Sequence, residues 1–558
     1  MILSKPFYKH LPAALLAGLA LRLFFLWQFP FASGDTPYYE ELARNWLYHG
    51  VYGFFSNGQL SASAVRMPGY PGFLAIIYSL AGPSRTAVFV AQAFVDLATC
   101  ILTACIAARL AAGASKPIRT RITIAALWLA VLCPFTANYV AVPLTEVLAT
   151  FLTTLAILIF LAPSAFALDL IRASVDLLRS VRTWFLAGLL VGFGALVRPE
   201  TPLILVAVLL VYALRWWRPV NWGKLAVAGL WVALGVLVPL APWAARNARV
   251  LGRVQFLSPR YAETFGDVMP TGFYSWTQTW MFRSRDAYLF TWKLPAAPIA
   301  LSDVPAYAFD SPEERSRVAS LLELYNRQRG LALQSDVEFA NLARQRTLRH
   351  PFRSYLWIPL ERTAVMWLTP RIALLPYSGQ IWPLREGWHE NSTGFEIAIA
   401  FALLNFLYAG LAILGALRSS QSPGIALIIA FIVIRTAFLT QLQTCEPRYV
   451  LECLPALLAL AAQSWRNRLS LRASDSVPPP TIQPAPVLQA FPESGVTVAT
   501  GSKPWPTNNM CTRRPLSLAR NRFALPTPSS GVPLPSKGNR SSFVALHRRV
   551  GSASPIPM

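Results

Sequence analysis

The chain has 558 residues, of which 54% are hydrophobic and only 14% are charged. Soluble domains carry about 25% charged residues, so this composition excludes an ordinary soluble protein. The formal charge of +24 does not indicate nucleic acid as a partner. Residues 466–558 hold 12 basic and 2 acidic residues, and much of the remaining positive charge lies in short loops between apolar runs. Basic residues in such loops orient a membrane protein.

The apolar runs predict an all-α polytopic membrane protein with about 10–12 transmembrane helices. Their continuous pattern, without alternation, favours helices over barrel strands. The first run lacks a small-residue cleavage site and is interpreted as a retained span. Two shorter apolar segments, 69–82 and 355–370, are interpreted as interfacial or re-entrant. The predicted crossings are 10–29, 84–111, 122–140, 143–162, 184–198, 201–215, 224–243, 394–416, 424–441 and 449–465.

Lys and Arg residues in the short loops predict the orientation of these spans. If segment 69–82 does not cross the membrane, the positive-inside rule predicts a cytoplasmic N-terminus. Loop 30–83 and a mainly helical insertion then face outward. The predicted location is the bacterial inner membrane. The predicted regions are an N-terminal transmembrane module (1–243), an outward insertion with a membrane-proximal segment (244–393), C-terminal transmembrane helices (394–465), and a basic, Pro-rich tail that is disordered by composition (466–558).

The first outward loop contains the stretch GDTPYYEELARNWLYHGVYG, which predicts an amphipathic helix at the membrane interface. Thr36 and Pro37 are typical of a helix start, with the Thr36 hydroxyl as the cap, and Gly50 is typical of a helix end. The predicted apolar face is Tyr39, Leu42, Ala43, Trp46 and Leu47, and the predicted polar face is Glu40, Glu41, Arg44 and Tyr48.

Ionisable residues recur at the predicted outward ends of the spans. Each has a plain interpretation: Asp35 as a charge at a helix start, Arg66 as an arginine that snorkels to the interface, and the others as salt bridges or loop polarity. Their occurrence on one side indicates a polar cavity that opens outward. Arg22 and Asp96, within spans, are predicted to pair inside the bundle. The remaining outward residues are Glu146, Arg198, Glu200, Glu446 and Arg448.

The order of short motifs resembles that of bacterial polytopic glycosyltransferases of the GT-C class, relatives of protein O-mannosyltransferases and lipid A aminoarabinose transferases. The resemblance covers roughly residues 10–465 and is strongest in 30–80 and 140–250. The motifs are Gly-Asp-x-x-Tyr-Tyr before the amphipathic helix, Arg-x-Pro-Gly-Tyr-Pro, Leu-Thr-Glu, Arg-Pro-Glu, Pro-Trp-x-x-Arg-Asn, and Glu-x-Arg-Tyr before the last span.

The resemblance implies a GT-C-like fold, a polyprenyl-phosphate-linked sugar as donor, and catalysis on the periplasmic side. It implies that Asp35 is the catalytic base or the group that positions the acceptor, with Glu146 as a second acidic residue. It implies that Arg66, Arg448 and Arg198 bind the donor phosphate. The cavity lining is expected to include Tyr38, Tyr39, Glu200, Glu446 and Tyr449.

The chemistry agrees with these residue types. A polyprenyl phosphate is a good leaving group, cations stabilise it as it departs, and a carboxylate takes the proton of an attacking hydroxyl. The acceptor is not implied, because Thr36 follows Asp35 where O-mannosyltransferases have an Asp-Glu pair. No metal site is assigned and no cofactor is certain, although a divalent cation is left open. The alternatives are a transporter or lipid flippase, and a scaffold whose outer region binds partners.

Overall fold

A computed structural model describes residues 4–466, apart from residues 57 and 329 and the segments 162–173, 216–221, 260–268, 295–296, 378–380, 382–383 and 420–421. The tail that is predicted to be disordered therefore lies outside the described residues, except for Arg466. The described chain is mostly helical, as the sequence predicts.

The first half of the described chain consists of helices and one two-stranded hairpin. Its elements are α1 (Lys5–Gln28), α2 (Thr36–His49), β1 (Gly53–Ser56), β2 (Gln59–Ala62), α3 (Gly69–Ala81), α4 (Arg85–Leu110), α5 (Lys116–Val131), α6 (Pro134–Ala137, continued by the 3₁₀ turn Asn138–Ala141), α7 (Glu146–Phe160), α8 (Ser174–Val197), α9 (Leu203–Arg215) and α10 (Trp222–Leu251).

The second half is helical throughout its described elements. They are α11 (Thr271–Gln278), α12 (Ser284–Leu289), the 3₁₀ turns Thr291–Lys293, Leu301–Asp303 and Ala306–Ala308, α13 (Pro312–Gln328), α14 (Leu333–Arg349), the π-helical turn Arg353–Trp357, α15 (Ile358–Leu368), α16 (Leu384–Glu390), α17 (Ser392–Arg418), α18 (Pro423–Leu439), the 3₁₀ segment Pro447–Cys453, α19 (Leu454–Ala462) and the 3₁₀ turn Gln463–Trp465.

Several helices are long and apolar enough to cross a membrane, as expected for an all-α membrane protein. Within the described residues there are four of them, α1, α4, α10 and α17, or five if the bent pair α5 and α6 counts as one span. Three further apolar helices, α3, α7 and α18, have 13–17 residues, and a fourth apolar stretch of 17 residues, Val181–Val197, lies within α8. At 1.5 Å per residue these reach at most about 26 Å, against a hydrocarbon core of roughly 30 Å. The ten predicted crossings therefore stay a prediction.

The predicted span 122–140 is not one straight helix. Its two parts, α5 and α6, meet at an angle of 42°. Pro134 explains the break, because proline disfavours helical backbone in the residue before it, and Cys133 is extended with ψ 111°.

The predicted span 449–465 also differs from a continuous α-helix. The structure has a 3₁₀ segment up to Cys453, nine residues of α-helix in α19, and a final 3₁₀ turn. Every residue of α19 is buried, and it packs against α4, α5 and α17. A helix that is apolar all round belongs in the interior, so α19 is a central helix of the core.

The predicted pair inside the bundle is confirmed. The Arg22 guanidinium on α1 donates from Nε and Nη2 to the Asp96 carboxylate on α4, at 2.9 and 2.5 Å. It also donates to the carbonyl oxygens of Gly18 and Val131. Both charges are thus buried with partners, as a low-dielectric interior requires.

The hairpin of β1 and β2 is a small departure from the all-α prediction. The strands pair antiparallel from Gly53 opposite Ala62 to Ser56 opposite Gln59, and Gly58 in the turn has a φ of +78° that favours glycine. Arg246 of α10 holds the open end of the hairpin, donating to the carbonyl oxygens of Tyr52 and Ser63 at 2.7 and 2.8 Å. The Pro-Trp-x-x-Arg-Asn motif thereby braces the first loop.

Helix α10 continues to Leu251, past the predicted start of the insertion at residue 244. Helices α11 to α14 enclose an aromatic core that includes Trp276, Trp280 and Phe339. Asp336 of α14 caps α11 by accepting from the backbone N–H groups of Gly272 and Phe273, both at 2.9 Å. Helices α11 to α14 agree with the prediction of a mainly helical insertion.

Candidate active site

Asp35 lies at the start of α2, between the first long helix and the first loop. The predicted helix is observed, with Pro37 in its first turn and Gly50 at its end in the left-handed conformation. The predicted cap is wrong: the Thr36 hydroxyl makes no cap hydrogen bond, but accepts from the Ser33 N–H and donates to the Pro143 carbonyl. These contacts tie Asp35 to the segment that enters α7.

The two predicted faces of α2 are only partly right. Glu40, predicted to be polar surface, is 4% exposed, whereas Trp46, predicted to be apolar face, is 40% exposed. The reason is that α2 packs against α3, which turns Glu40 towards Arg85 at the start of α4, with a contact of 2.6 Å. The helix is therefore part of the protein fold around Asp35.

The Asp35 carboxylate lies between two arginines that come from distant parts of the chain. Its Oδ1 is 3.1 Å from Nη2 of Arg66, and its Oδ2 is 3.4 Å from Nη2 of Arg448. Arg66 belongs to the turn that enters α3, and Arg448 to the 3₁₀ segment before α19. The first loop and the last helices thus meet at this carboxylate.

Arg448 connects Asp35 to two further predicted residues. Its guanidinium is 2.7 Å from Glu446 and 3.9 Å from Glu146, which is the first residue of α7. The Tyr449 hydroxyl donates to Glu446 at 3.1 Å. The guanidinium is held by three carboxylates and cannot turn away without breaking several contacts.

Arg198 follows α8 and extends the same network. Its guanidinium is 3.0 Å from Glu200 and 3.8 Å from Glu146, so Glu146 is shared between Arg198 and Arg448. A further contact of 3.6 Å joins Arg198 to Glu452. The charged residues of the Arg-Pro-Glu motif therefore face the charged residues of the Glu-x-Arg-Tyr motif.

Two charged residues of this network, Glu452 and Arg435, were missed by the sequence reasoning. Both are fully buried and are 2.6 Å apart. Arg435 also contacts Glu200 at 3.4 Å, and Glu452 accepts from the Thr153 hydroxyl at 2.8 Å. The signal was available, because both lie within predicted spans, where ionisable residues mark functional or structural pairs.

We call this ion-paired network the Asp35 cluster. Among the described residues its contacts of less than 4 Å link five carboxylates and four guanidiniums. Its members are Asp35, Arg66, Glu146, Arg198, Glu200, Arg435, Glu446, Arg448 and Glu452.

The predicted tyrosines line the cluster. The Arg66 guanidinium lies 5.8 Å from the ring centroid of Tyr38 and 6.0 Å from that of Tyr39. The guanidiniums of Arg198 and Arg448 lie 5.7 and 5.6 Å from the ring of Tyr449. These are cation–π distances, so the rings help to hold the arginines in place. All ten residues predicted for the site thus lie together, while their roles stay predictions.

Burial and neighbouring charges shift the pKa values of Arg448, Glu200 and Tyr39. Burial alone would lower the pKa of Arg448, but Glu446, Glu146 and Asp35 raise it well above its usual value. Burial alone would raise the pKa of Glu200, but Arg198 and Arg435 hold it below its usual value. Burial and the Asp35 charge raise the pKa of Tyr39, so its phenol stays protonated. Arg448 and Glu200 are therefore held in their charged forms at neutral pH.

The described residues of the Asp35 cluster are not arranged as a metal site. Among the described residues no group of three or more His, Cys, Asp or Glu side chains is arranged to hold a metal ion. In the Asp35 cluster the carboxylates contact guanidiniums instead.

Comparison with known proteins returned no relative: no family model matches the chain, and neither does any curated protein or solved structure.

Proposed function

We propose that this protein is an inverting membrane glycosyltransferase with a GT-C-like architecture, which moves a sugar from a polyprenyl-phosphate donor to a hydroxyl acceptor. The acceptor is a glycan, a lipid or a protein. The observation that carries the proposal is the Asp35 carboxylate between the guanidiniums of Arg66 and Arg448. A carboxylate beside two arginines combines the proton acceptor and the phosphate partners that this reaction needs.

The proposed reaction is a single displacement. The acceptor hydroxyl attacks the anomeric carbon, a new C–O bond forms, and the bond from that carbon to the donor phosphate oxygen breaks. Asp35 takes the hydroxyl proton, and the electron pair of the broken bond leaves with the polyprenyl phosphate. Arg66 and Arg448 stabilise the departing phosphate, because guanidiniums pair with phosphate oxygens in a planar fork. One displacement inverts the anomeric configuration.

The location of the cluster agrees with a lipid-linked donor. Most of its residues lie near helix ends, before α2, at the start of α7, after α8 and before α19, whereas Arg435 lies within α18. Ends of membrane helices lie near the lipid headgroups, which is the depth of a polyprenyl phosphate. We propose that this side faces outward from the bacterial inner membrane.

The test is a transfer assay with the purified full-length protein and a panel of radiolabelled polyprenyl-phosphate sugars. We expect label to move from the lipid fraction to a hydroxyl acceptor for at least one donor, with inversion at the anomeric carbon. A vesicle transport assay runs beside it. Label that crosses the vesicle membrane without any transfer would contradict the proposal and favour the transporter or flippase alternative.

A further inference from the structure

Asp35 is held in the way that a phosphodiester would be held. Each of its two carboxylate oxygens meets a different guanidinium, Oδ1 with Arg66 and Oδ2 with Arg448. A phosphodiester also presents two equivalent unesterified oxygens and one negative charge. Arginine binds both groups through the same geometry. The same pair of guanidiniums therefore suits either anion.

The charges of the Asp35 cluster leave no cationic surplus for an added anion. Its five carboxylates outnumber its four guanidiniums among the described residues. Arg371 lies nearby, but donates to the backbone carbonyl oxygens of Pro447 and Met366. A phosphate that entered with all these contacts intact would add a negative charge to a partly buried array, where like charges repel strongly. An anion binds most favourably by replacing one of the carboxylates.

Asp35 is the carboxylate that can leave most easily. Its side chain is 24% exposed, against 12% for Glu200 and 5% or less for Glu146, Glu446 and Glu452. Its contact with Arg448, at 3.4 Å, is also longer than the 2.7 Å contact between Arg448 and Glu446. A partly exposed carboxylate can turn towards water at a lower cost than a fully buried one, which must keep its partners.

We infer that the donor phosphate replaces the Asp35 carboxylate between Arg66 and Arg448, so that Asp35 is released towards the acceptor only when the donor is bound. This rests on the proposed function and adds an order of events to it. A carboxylate that loses cationic partners becomes a better proton acceptor. The exchange therefore activates the base at the moment when a substrate is present.

Binding of methyl farnesyl phosphate, a phosphodiester without a sugar, tests the exchange separately from turnover. The measurement uses the purified full-length protein at one fixed salt concentration. We expect Asp35→Asn to lower the dissociation constant about tenfold, because the neutral amide no longer competes for the guanidiniums. Glu323→Gln is the control, since it removes one exposed charge outside the cluster and should leave the constant unchanged.

Asp35→Ala is a second variant that should show the same tightening, and the thermal midpoint of each variant checks that it is folded. An unchanged or raised dissociation constant in folded Asp35 variants would overturn the exchange. The transfer assay separates this failure from that of the proposed function. If the wild type transfers sugar but the Asp35 variants do not bind methyl farnesyl phosphate more tightly, the exchange alone is overturned. If the variants bind it more tightly but no donor supports sugar transfer, only the proposed glycosyltransferase activity is overturned.

Discussion

At the scale of single residues, Arg448 determines how the parts of the site are joined. Its guanidinium contacts Asp35, Glu146 and Glu446, which come from three separate parts of the chain. A planar fork reaches several carboxylates at once, whereas the single ammonium of lysine does not. The same geometry is what a phosphate group would use in the proposed reaction.

We therefore expect Arg448→Lys to raise the KM for the donor by about ten- to a hundredfold while the protein stays folded. Steady-state kinetics with varied donor concentration measures this change. Arg327→Lys is the matched control, because Arg327 pairs with Glu323 at an exposed site outside the cluster. A KM for Arg448→Lys equal to that of the control would contradict a role in donor binding.

The residues of the site were largely predictable because charge is rare in this chain. Asp35, Arg66, Glu146, Arg198 and Arg448 are conspicuous at the ends of apolar runs, and the structure brings them together. Their pairing was not predictable, because ion pairs between distant segments depend on tertiary packing. Glu452 and Arg435 were missed although both are charges within predicted spans, and their contact with each other depends on the same tertiary packing.

At the scale of elements, Gly69 allows α3 to approach the end of α8 beside Arg198. A Cβ atom at Gly69 would lie 2.7 Å from the Leu196 carbonyl oxygen, so a side chain forces backbone to move. This approach positions the turn that carries Arg66 against the segment that carries Arg198.

We expect Gly69→Ala to destabilise the protein by about 1–3 kcal/mol through overpacking. The midpoint of thermal unfolding should fall accordingly. Gly410→Ala in α17 is the matched control, since a Cβ there meets nothing within 4 Å and alanine favours helix. An equal midpoint for Gly69→Ala and the control would show that the two helices are not in close contact.

Asp310 lies where α13, α14 and the following turn meet, and its ion pairs make the stability of the protein depend on pH. Asp310 accepts from Arg353 at 2.7 and 2.9 Å and lies 3.2 Å from Arg346. Burial alone would raise the pKa of Asp310, but Arg353 and Arg346 hold it below its usual value. Its contribution to stability is thus complete above the unfolded pKa of about 3.9 and is lost as the pH falls through the folded pKa.

We expect Asp310→Asn to lower the thermal midpoint at pH 7 by the equivalent of about 1–3 kcal/mol, with a smaller difference from the wild type near pH 3. Glu338→Gln removes an exposed charge that pairs with Arg317 and should change little at either pH. A difference that stays constant from pH 7 to pH 3 would contradict the ion pair as its source.

The elements themselves were predictable where the signals are local. Pro37 lies in the first turn of α2 and Gly50 ends it, as expected. The bend between α5 and α6 was not predictable, since hydropathy alone does not distinguish a straight span from one that proline interrupts. The prediction failed for the polar face of α2, because the burial of Glu40 depends on Arg85, a partner 45 residues away.

At the scale of the whole molecule, the proposed orientation places opposite ends of the helices on opposite sides of the membrane. Gln59 in the hairpin and Ser316 in α13 are predicted to face outward, and Ser115, between α4 and α5, to face the cytoplasm. All three side chains are exposed.

We expect Gln59→Cys and Ser316→Cys to react with a membrane-impermeant maleimide in intact cells, and Ser115→Cys to react only after permeabilisation. The wild type is the background control, since the five cysteines among the described residues are buried or half-buried. Labelling of Ser115→Cys in intact cells would reverse the orientation. The number of crossings was the least predictable feature, because several apolar helices are shorter than the bilayer core.

The central claim is that Asp35 is the proton acceptor of a sugar transfer from a polyprenyl phosphate. Its most direct test compares the transfer rates of the wild type and Asp35→Asn with the active radiolabelled donor at saturation. Glu41→Gln on the same helix, outside the Asp35 cluster, is the matched control. We predict that the rate of Asp35→Asn falls by about 10²–10⁴-fold and that Glu41→Gln retains its rate. A rate for folded Asp35→Asn within a few-fold of the wild type would contradict the claim.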